Sequence, residues 1–150
     1  DIQNGQLWMG QNFADKFKQI DDSNAFVSPN NGIHSVAQIV AHLTAWKKDA
    51  LLKLKQGKGL LMDDHPENWQ ENSELSNLGW ERLKSDFQQT NQDLLIAINQ
   101  HTDEILDQHY FDQDYKKEFG LSFLLEGLIH HDLYHLGQIG LIIRMLKSHR

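Results

Sequence analysis

His131 and His135 stand four positions apart in the run H-H-D-L-Y-H at 130–135. On a helix that spacing puts two imidazoles on one face, about one turn apart, where they can share an ion. The zinc motif H-E-x-x-H uses the same geometry, but Asp132 stands where its Glu would be, so the pattern is not that of a zincin. Both histidines lie in an apolar stretch, and burying imidazoles without partners is expensive. Spacing alone leaves two readings open: a pair that binds metal, or a pair satisfied by hydrogen bonds in a core.

A catalytic metal site usually has three protein ligands and one open position. His42 is the best-placed third, beside Leu43 and one turn before Trp46 in an earlier apolar stripe. A carboxylate would also serve, and Asp49 lies two turns beyond His42. His130 points about 100° away from His131 and reads as outward. Gly127, one turn before His131, either leaves room for a ligand or permits close packing, whereas Gly137 and Gly140 read as close helix approach. Gln138, one turn after His135, can orient a ligand imidazole. Asp49, Glu126 and Asp132 read as surface or supporting carboxylates, Tyr134 as packing, and Trp46 as core or as a wall of the site. His34, His65, His101 and His109 read as turn residues and His149 as part of the tail. No residue is assigned as general acid, general base or nucleophile.

Four stretches of helical period must position these groups, and none alternates convincingly as a strand. The first spans 11–20, with Phe13, Phe17 and Ile20 in one stripe. The second opens at Ser35, where S-V-A-Q has the form of a capping box, and ends at Gly57 and Gly59. Val36, Ile39, Val40, Leu43, Trp46, Ala50, Leu51 and Leu54 line its inner face. The third spans 76–100 and the fourth 121–147. The fourth is the most apolar and is predicted to sit centrally in the core. The connections 57–75 and 101–119 read as irregular, and a long connection is often functional. The expectation is an all-α, four-helix bundle in a single domain over 1–150.

Composition narrows the function. A net charge of −7 argues against a nucleic-acid partner. Lys47, Lys48, Lys53, Lys55 and Lys58 cluster locally and read as the solvated face of the second helix. The chain has no cysteine, which excludes a thiol nucleophile, Cys-ligated zinc and iron–sulfur clusters. No apolar run reaches the ~18–20 residues that cross a bilayer. The opening residues D-I-Q-N-G-Q-L-W-M-G lack the basic start and apolar stretch of a signal peptide. A cytoplasmic protein with no membrane partner is expected.

The stretch H-D-L-Y-H-L-G-Q-I at 131–139 resembles the H-x-x-x-H-x-G-Q-I helix of the DinB-like superfamily. The stretch G-I-H-S-V-A-Q-I-V-A-H-L-T-A-W at 32–46 is similar to that family's second-helix segment, which carries a ligand histidine. W-M-G-Q-N-F at 8–13 and D-D-H-P-E-N-W at 63–69 are similar to one subgroup, so the likeness spans nearly the whole chain. The resemblance implies an up-down-down-up bundle, a homodimer, and a divalent metal ion, zinc or nickel, on His42, His131 and His135. It also implies a choice of reactions, since characterised relatives include bacillithiol transferases and a mycothiol-dependent maleylpyruvate isomerase. Many other members carry the labels metal-dependent hydrolase or DNA-damage-inducible protein. Three neutral imidazoles leave an ion its charge and an open position, from which it can lower the pKa of water to about 7 or hold a thiolate. The expected function is that of a metal-dependent enzyme on a small molecule, a hydrolase or a low-molecular-weight-thiol transferase. The alternatives are a non-catalytic metal or small-ligand binding protein, stress- or DNA-damage-inducible, and a dimerisation module with core histidines. Substrate and reaction are not legible.

Overall fold

The computed structural model describes residues 2–148, so His149 lies outside the described residues. Five helices, α1 (Phe13–Phe17), α2 (Val36–Gln56), α3 (Asn72–Leu78), α4 (Trp80–Asn99) and α5 (Leu121–Ser148), form a four-helix bundle with α3 as a short prelude to α4. A 3₁₀ turn at Asp103–Asp107 and the antiparallel hairpin β1 (His109–Asp112) and β2 (Lys117–Gly120) precede α5. No helix among the described residues is long and apolar enough to cross a membrane.

The central helix is α2. The Ser35 side chain accepts the N–H of Gln38, and the Gln38 side chain accepts the N–H of Ser35, completing the expected capping box. Gly57 ends the helix in the left-handed region at φ 70°. All residues from Val36 to Thr44 are buried, because α2 packs against both α4 and α5. The expectation that the last helix sits centrally is thus corrected. On α5, Phe123, Ile129, Tyr134 and Leu141 are all more than half exposed. Hydropathy reports how much apolar surface a helix carries, not which neighbour covers it.

Two further differences come from short-range chemistry. The third periodic stretch is broken at Gly79, whose φ of 82° separates α3 from α4. Asp22 accepts the N–H of Trp80 at 2.8 Å there, and the Trp80 ring turns into the core against Phe17. The stretch 101–119, read as irregular, holds the hairpin. Its strands are four residues each, too short for alternation to stand out, yet Tyr110 and Asp112 both point inward. Asp112 Oδ1 accepts the N–H groups of Asp114 and Tyr115, each at 3.1 Å, and so builds the turn.

The core falls into two apolar clusters. One gathers Phe13, Phe17, Val36, Ile39, Val40, Leu43, Trp80, Phe87 and the C-terminal half of α5. The other gathers Leu54, Leu94, Ile105, Tyr110 and Leu121. Along α2, α4 and α5 the positions between them are polar and buried: Lys47, Asp49, Lys53, Asn91, Asp132 and His135. This layer corrects the reading of Lys47 and Lys53 as part of a solvated face, whereas Lys48, Lys55 and Lys58 are exposed as expected. Lys47 and Lys53 are only 2% and 4% exposed. Lys47 pairs with Asp132 of α5 and lies over the Phe87 ring at 4.5 Å. Lys53 bridges Asp49 at 3.1 Å and Asp112 at 3.3 Å. Each lysine has a partner that helix periodicity cannot show, Asp132 of α5 for Lys47 and Asp112 of β1 for Lys53.

Removing one partner of a buried ion pair strands the other charge, at a cost of about 3–5 kcal/mol. Burial already pulls the Lys47 pKa down and pushes that of Asp132 up, which is the signature of that cost. Lys47→Met is therefore expected to lower unfolding free energy by about 3–5 kcal/mol in urea denaturation, and the double variant Lys47→Met/Asp132→Leu to recover part of it. Equal losses in the single and the double variant would contradict this.

Candidate metal centre

The structure brings His42 of α2 against His131 and His135 of α5. His131 Nε2 lies 2.9 Å from His42 Nε2 and 3.0 Å from His135 Nε2. The ring planes meet at 67–75°, so the three imidazoles radiate from a common region rather than stack. His42 and His135 are buried and His131 is half-buried. Among the described residues this is a group placed to hold an ion, with its ligand atoms all within 4.8 Å of one another.

Hydrogen bonds on the far side of two rings determine what the near side presents. His42 Nδ1 lies 3.0 Å from the Asn68 carbonyl oxygen, and His135 Nδ1 lies 2.7 Å from Gln138 Oε1. A carbonyl accepts, so both Nδ1 atoms carry the proton and both Nε2 atoms carry bare lone pairs. His131 Nε2 faces both of them with at most one N–H, which leaves at least one lone pair without a donor. A cation satisfies all three at once. Nitrogens bound at about 2.0–2.1 Å and separated by right to tetrahedral angles lie about 2.9–3.4 Å apart, which includes the observed spacings. The donor set therefore fits a divalent metal ion.

Electrostatics keeps the set neutral. Burial pushes the pKa of His42 down. Burial, followed by the neighbouring His135, His42 and Lys47, pushes His131 down to about 3. His135 falls to about 4, again chiefly through burial and then through His42. All three imidazoles are neutral at pH 7, as ligation requires.

The loop after α2 supports this arrangement. Asn68 holds three groups: its backbone oxygen takes His42, its Oδ1 takes the Trp46 indole N–H at 2.8 Å, and its Nδ2 donates to the Asp63 carbonyl at 2.8 Å. Trp69 stacks on His42 with centroids 3.9 Å apart and planes 8° apart. His34 stacks on Trp69 at 3.8 Å and 3°, which places the indole between the two imidazoles. His34, read as a turn residue, thus belongs to the rim of the site. No periodicity could have revealed this, since His34 precedes the helix and Trp69 lies in a loop. The signals available were the length of the 57–75 connection and its D-D-H-P-E-N-W run.

Other candidates sort clearly. Asp49 is not beside the histidines: its Oδ1 accepts the N–H groups of Leu60 and Leu61 at 2.6 and 2.8 Å, and its Oδ2 faces Lys53. Asp132 is committed to Lys47, and Glu126 and His130 are exposed. Tyr134 is 64% exposed rather than packed, its ring edge-on to His135 with centroids 4.9 Å apart. His65 is a turn residue as expected, its Nδ1 accepting the Glu67 N–H at 3.2 Å, while His109 lies in β1. A cavity of about 240 Å³ opens beside His131, walled by Trp46, Leu128 and Gly127 among others. A Cβ at Gly127 would meet nothing within 4 Å, so this glycine leaves room rather than admitting a neighbour. Gly137 has no close neighbour either, so it marks no close helix approach, whereas a Cβ at Gly140 would come within 3.0 Å of the Lys16 side chain of α1.

The depressed histidine pKa values have a consequence for the metal-free protein. The unfolded chain takes up protons as pH falls through about 6.5, while the folded chain does so only near 4 and 3. The stability these groups confer is complete above 6.5 and is lost progressively as pH falls from there to their folded values. The urea midpoint is expected to be lower at pH 5 than at pH 7, with a shallower pH dependence in His131→Asn. A midpoint that rises on acidification would contradict the buried, neutral assignment.

The family model of the DinB superfamily matches residues 7–139. YfiT from Bacillus subtilis, described as a probable metal-dependent hydrolase with an unusual four-helix bundle topology, superposes with a TM-score of 0.64. The alignment covers 88% of this chain and 78% of that one at 14% identity, a likeness of fold. No curated protein matches the sequence. The family match runs through both histidine-bearing helices, and with the bundle it establishes that this chain belongs to the DinB superfamily.

Proposed function

We propose that this chain is a divalent-metal-dependent enzyme that hydrolyses a small molecule, with zinc or nickel held by His42, His131 and His135. One observation carries the reading: three Nε2 atoms converge beside a cavity, two of them with lone pairs oriented by Nδ1 hydrogen bonds. When bound, the ion supplies Lewis acidity. The chain's own residues supply the rest. Asn68 and Gln138 hold the tautomers, Trp69 keeps the His42 ring in plane, and Trp46 and Leu128 exclude water beside His131. The description of YfiT as a probable metal-dependent hydrolase supports hydrolysis.

Thiol transfer is the second reading, and one feature favours it. Asp49 and Asp132 are both committed to lysines, Glu126 is exposed, and Asp112 beside the cavity is held by Lys53 and by the hairpin turn, so none of these four carboxylates stands free as a base for water. A low-molecular-weight thiol is acidic enough to bind as thiolate without one. The same proposal takes the chain as a single cytoplasmic domain that forms a homodimer. Leu95 of α4 and Ile129 of α5, both over half exposed, belong to an apolar face suited to a second copy.

Isothermal titration with zinc and with nickel tests the centre, and screens with small esters, amides and thiol donors test the reaction. One ion per chain is expected, with binding and activity both lost in His42→Ala while the helical content is kept. Activity that survives His42→Ala would rule out the three-histidine mechanism, and bound metal without activity would leave a binding protein. Because Gln138 orients His135, Gln138→Ala is expected to weaken metal affinity by about 10- to 100-fold.

A further inference from the structure

The cavity beside His131 carries more information than its position. It is lined from α5 by His131, Gly127, Leu124 and Phe123, and from the other side by Trp46, Lys53, Tyr110 and Asp112. Three properties bear on what it would take. At about 240 Å³ it is smaller than the ~300–1,000 Å³ of ordinary ligand pockets, so its occupant is compact. Its aromatic and leucine walls suit an apolar body. Its polar end presents Lys53 and Asp112, with the buried Asp49 behind Lys53 rather than in the lining. Lys53 bridges Asp49 and Asp112, which leaves one net negative charge.

Tyr110 is the unspent group there. It is 3% exposed, and a buried phenol normally finds a hydrogen-bond partner. No described residue hydrogen-bonds its hydroxyl, although the hydroxyl is not sealed off, since Tyr110 lines the cavity. Burial, then the charges of Asp112 and Asp49, push its pKa up to about 12, so it is a donor at any physiological pH. The Lys53 ammonium lies 5.0 Å from the Tyr110 ring centroid and 5.6 Å from that of Trp46, which fixes the ring faces around it.

We infer that this cavity is the substrate pocket and that the Tyr110 hydroxyl anchors the substrate, a compact, largely apolar molecule ending in an uncharged oxygen acceptor such as an amide or ester carbonyl. The inference rests on the proposed metal centre for which end of the molecule reacts. A carboxylate or phosphate at the Tyr110 end would meet the net negative charge of Asp49, Asp112 and Lys53. Gly127 is the access point, since a side chain there would project into space that is now open.

The test uses acetanilide as a neutral probe and 4-acetamidobenzoate as its carboxylate counterpart. Each is titrated into zinc-loaded and metal-free full-length protein and followed by ¹H–¹⁵N spectra. Acetanilide is expected to shift the Trp46 indole N–H and the amides of Tyr110, Phe123 and Gly127 in both forms. Tyr110→Phe keeps the buried ring and is expected to weaken binding about five-fold, the worth of one neutral hydrogen bond. Gly127→Leu is expected to abolish binding with helical content unchanged, and 4-acetamidobenzoate is expected to bind more weakly than acetanilide. Unchanged affinity in Tyr110→Phe, equal or tighter binding of the carboxylate, shifts confined to other surfaces, or no binding in either form would each overturn the inference. Failure of the metal reading is separable: the chain would then bind no zinc, while the probe's dependence on Tyr110 would still be read in the metal-free form. Zinc held by the three histidines without Tyr110-dependent probe binding would defeat this inference alone.

Discussion

Two buried imidazoles turn their lone pairs toward a third that has at most one proton to offer them. The Nε2 atoms of His42 and His135 cannot turn away, because their Nδ1 protons are committed to Asn68 and Gln138. Nor can the rings escape by protonation, since burial holds His131 and His135 near 3 and 4. In water the three imidazoles would disperse or protonate. In the folded chain they are left with a demand that a cation meets and that a proton, satisfying one contact, does not. The geometry makes sense as a structure built around a positive charge.

Holding that geometry falls to the buried polar layer between the two apolar clusters. His131 is followed by Asp132, and His42 is followed five residues later by Lys47. The Lys47–Asp132 pair therefore ties α2 to α5 next to the ligands themselves, and the register of the two helices and the register of the histidines become one constraint. Asp49 acts lower down in the same way, clamping the chain after Gly59 through the N–H groups of Leu60 and Leu61. A Cβ at Gly59 would come within 2.3 Å of the Asp49 carboxylate, so the turn and the carboxylate are matched to each other. The chain that leaves this clamp delivers Asn68 and Trp69 to His42.

The hairpin before α5 has a comparable part. Phe111 N–H donates to the Gly57 carbonyl at 2.8 Å, which joins the hairpin to the end of α2. Tyr110 and Asp112 then face inward and close the cavity from the side opposite α5. Without the hairpin, the N-terminal half of α5 would have little beside it. That half is the most apolar and least covered part of the bundle, with Phe123 and Ile129 open to solvent. Leu121, Leu124 and Leu128 join the second core cluster, and Leu124 and Leu128 also line the cavity.

The sequence by itself determined the helical bundle, the α2 cap at Ser35 and Gln38, the one-face spacing of His131 and His135, and the match to the DinB superfamily. These are local matters: periodicity, capping and spacing depend on residues a few positions apart, and so they are written in short windows of chain. Only the tertiary structure decided that His42 meets His131, that Lys47 and Lys53 are buried rather than solvated, that His34 sandwiches Trp69, and that α2 rather than α5 is central. Each of these depends on a partner far along the chain, such as Asp132 for Lys47 or Asn68 for His42. Spacing could name His42 as a third ligand only beside alternatives such as Asp49. What separates them is packing: the fold spends Asp49 on backbone N–H groups and Lys53, and leaves His42 with a bare lone pair facing α5.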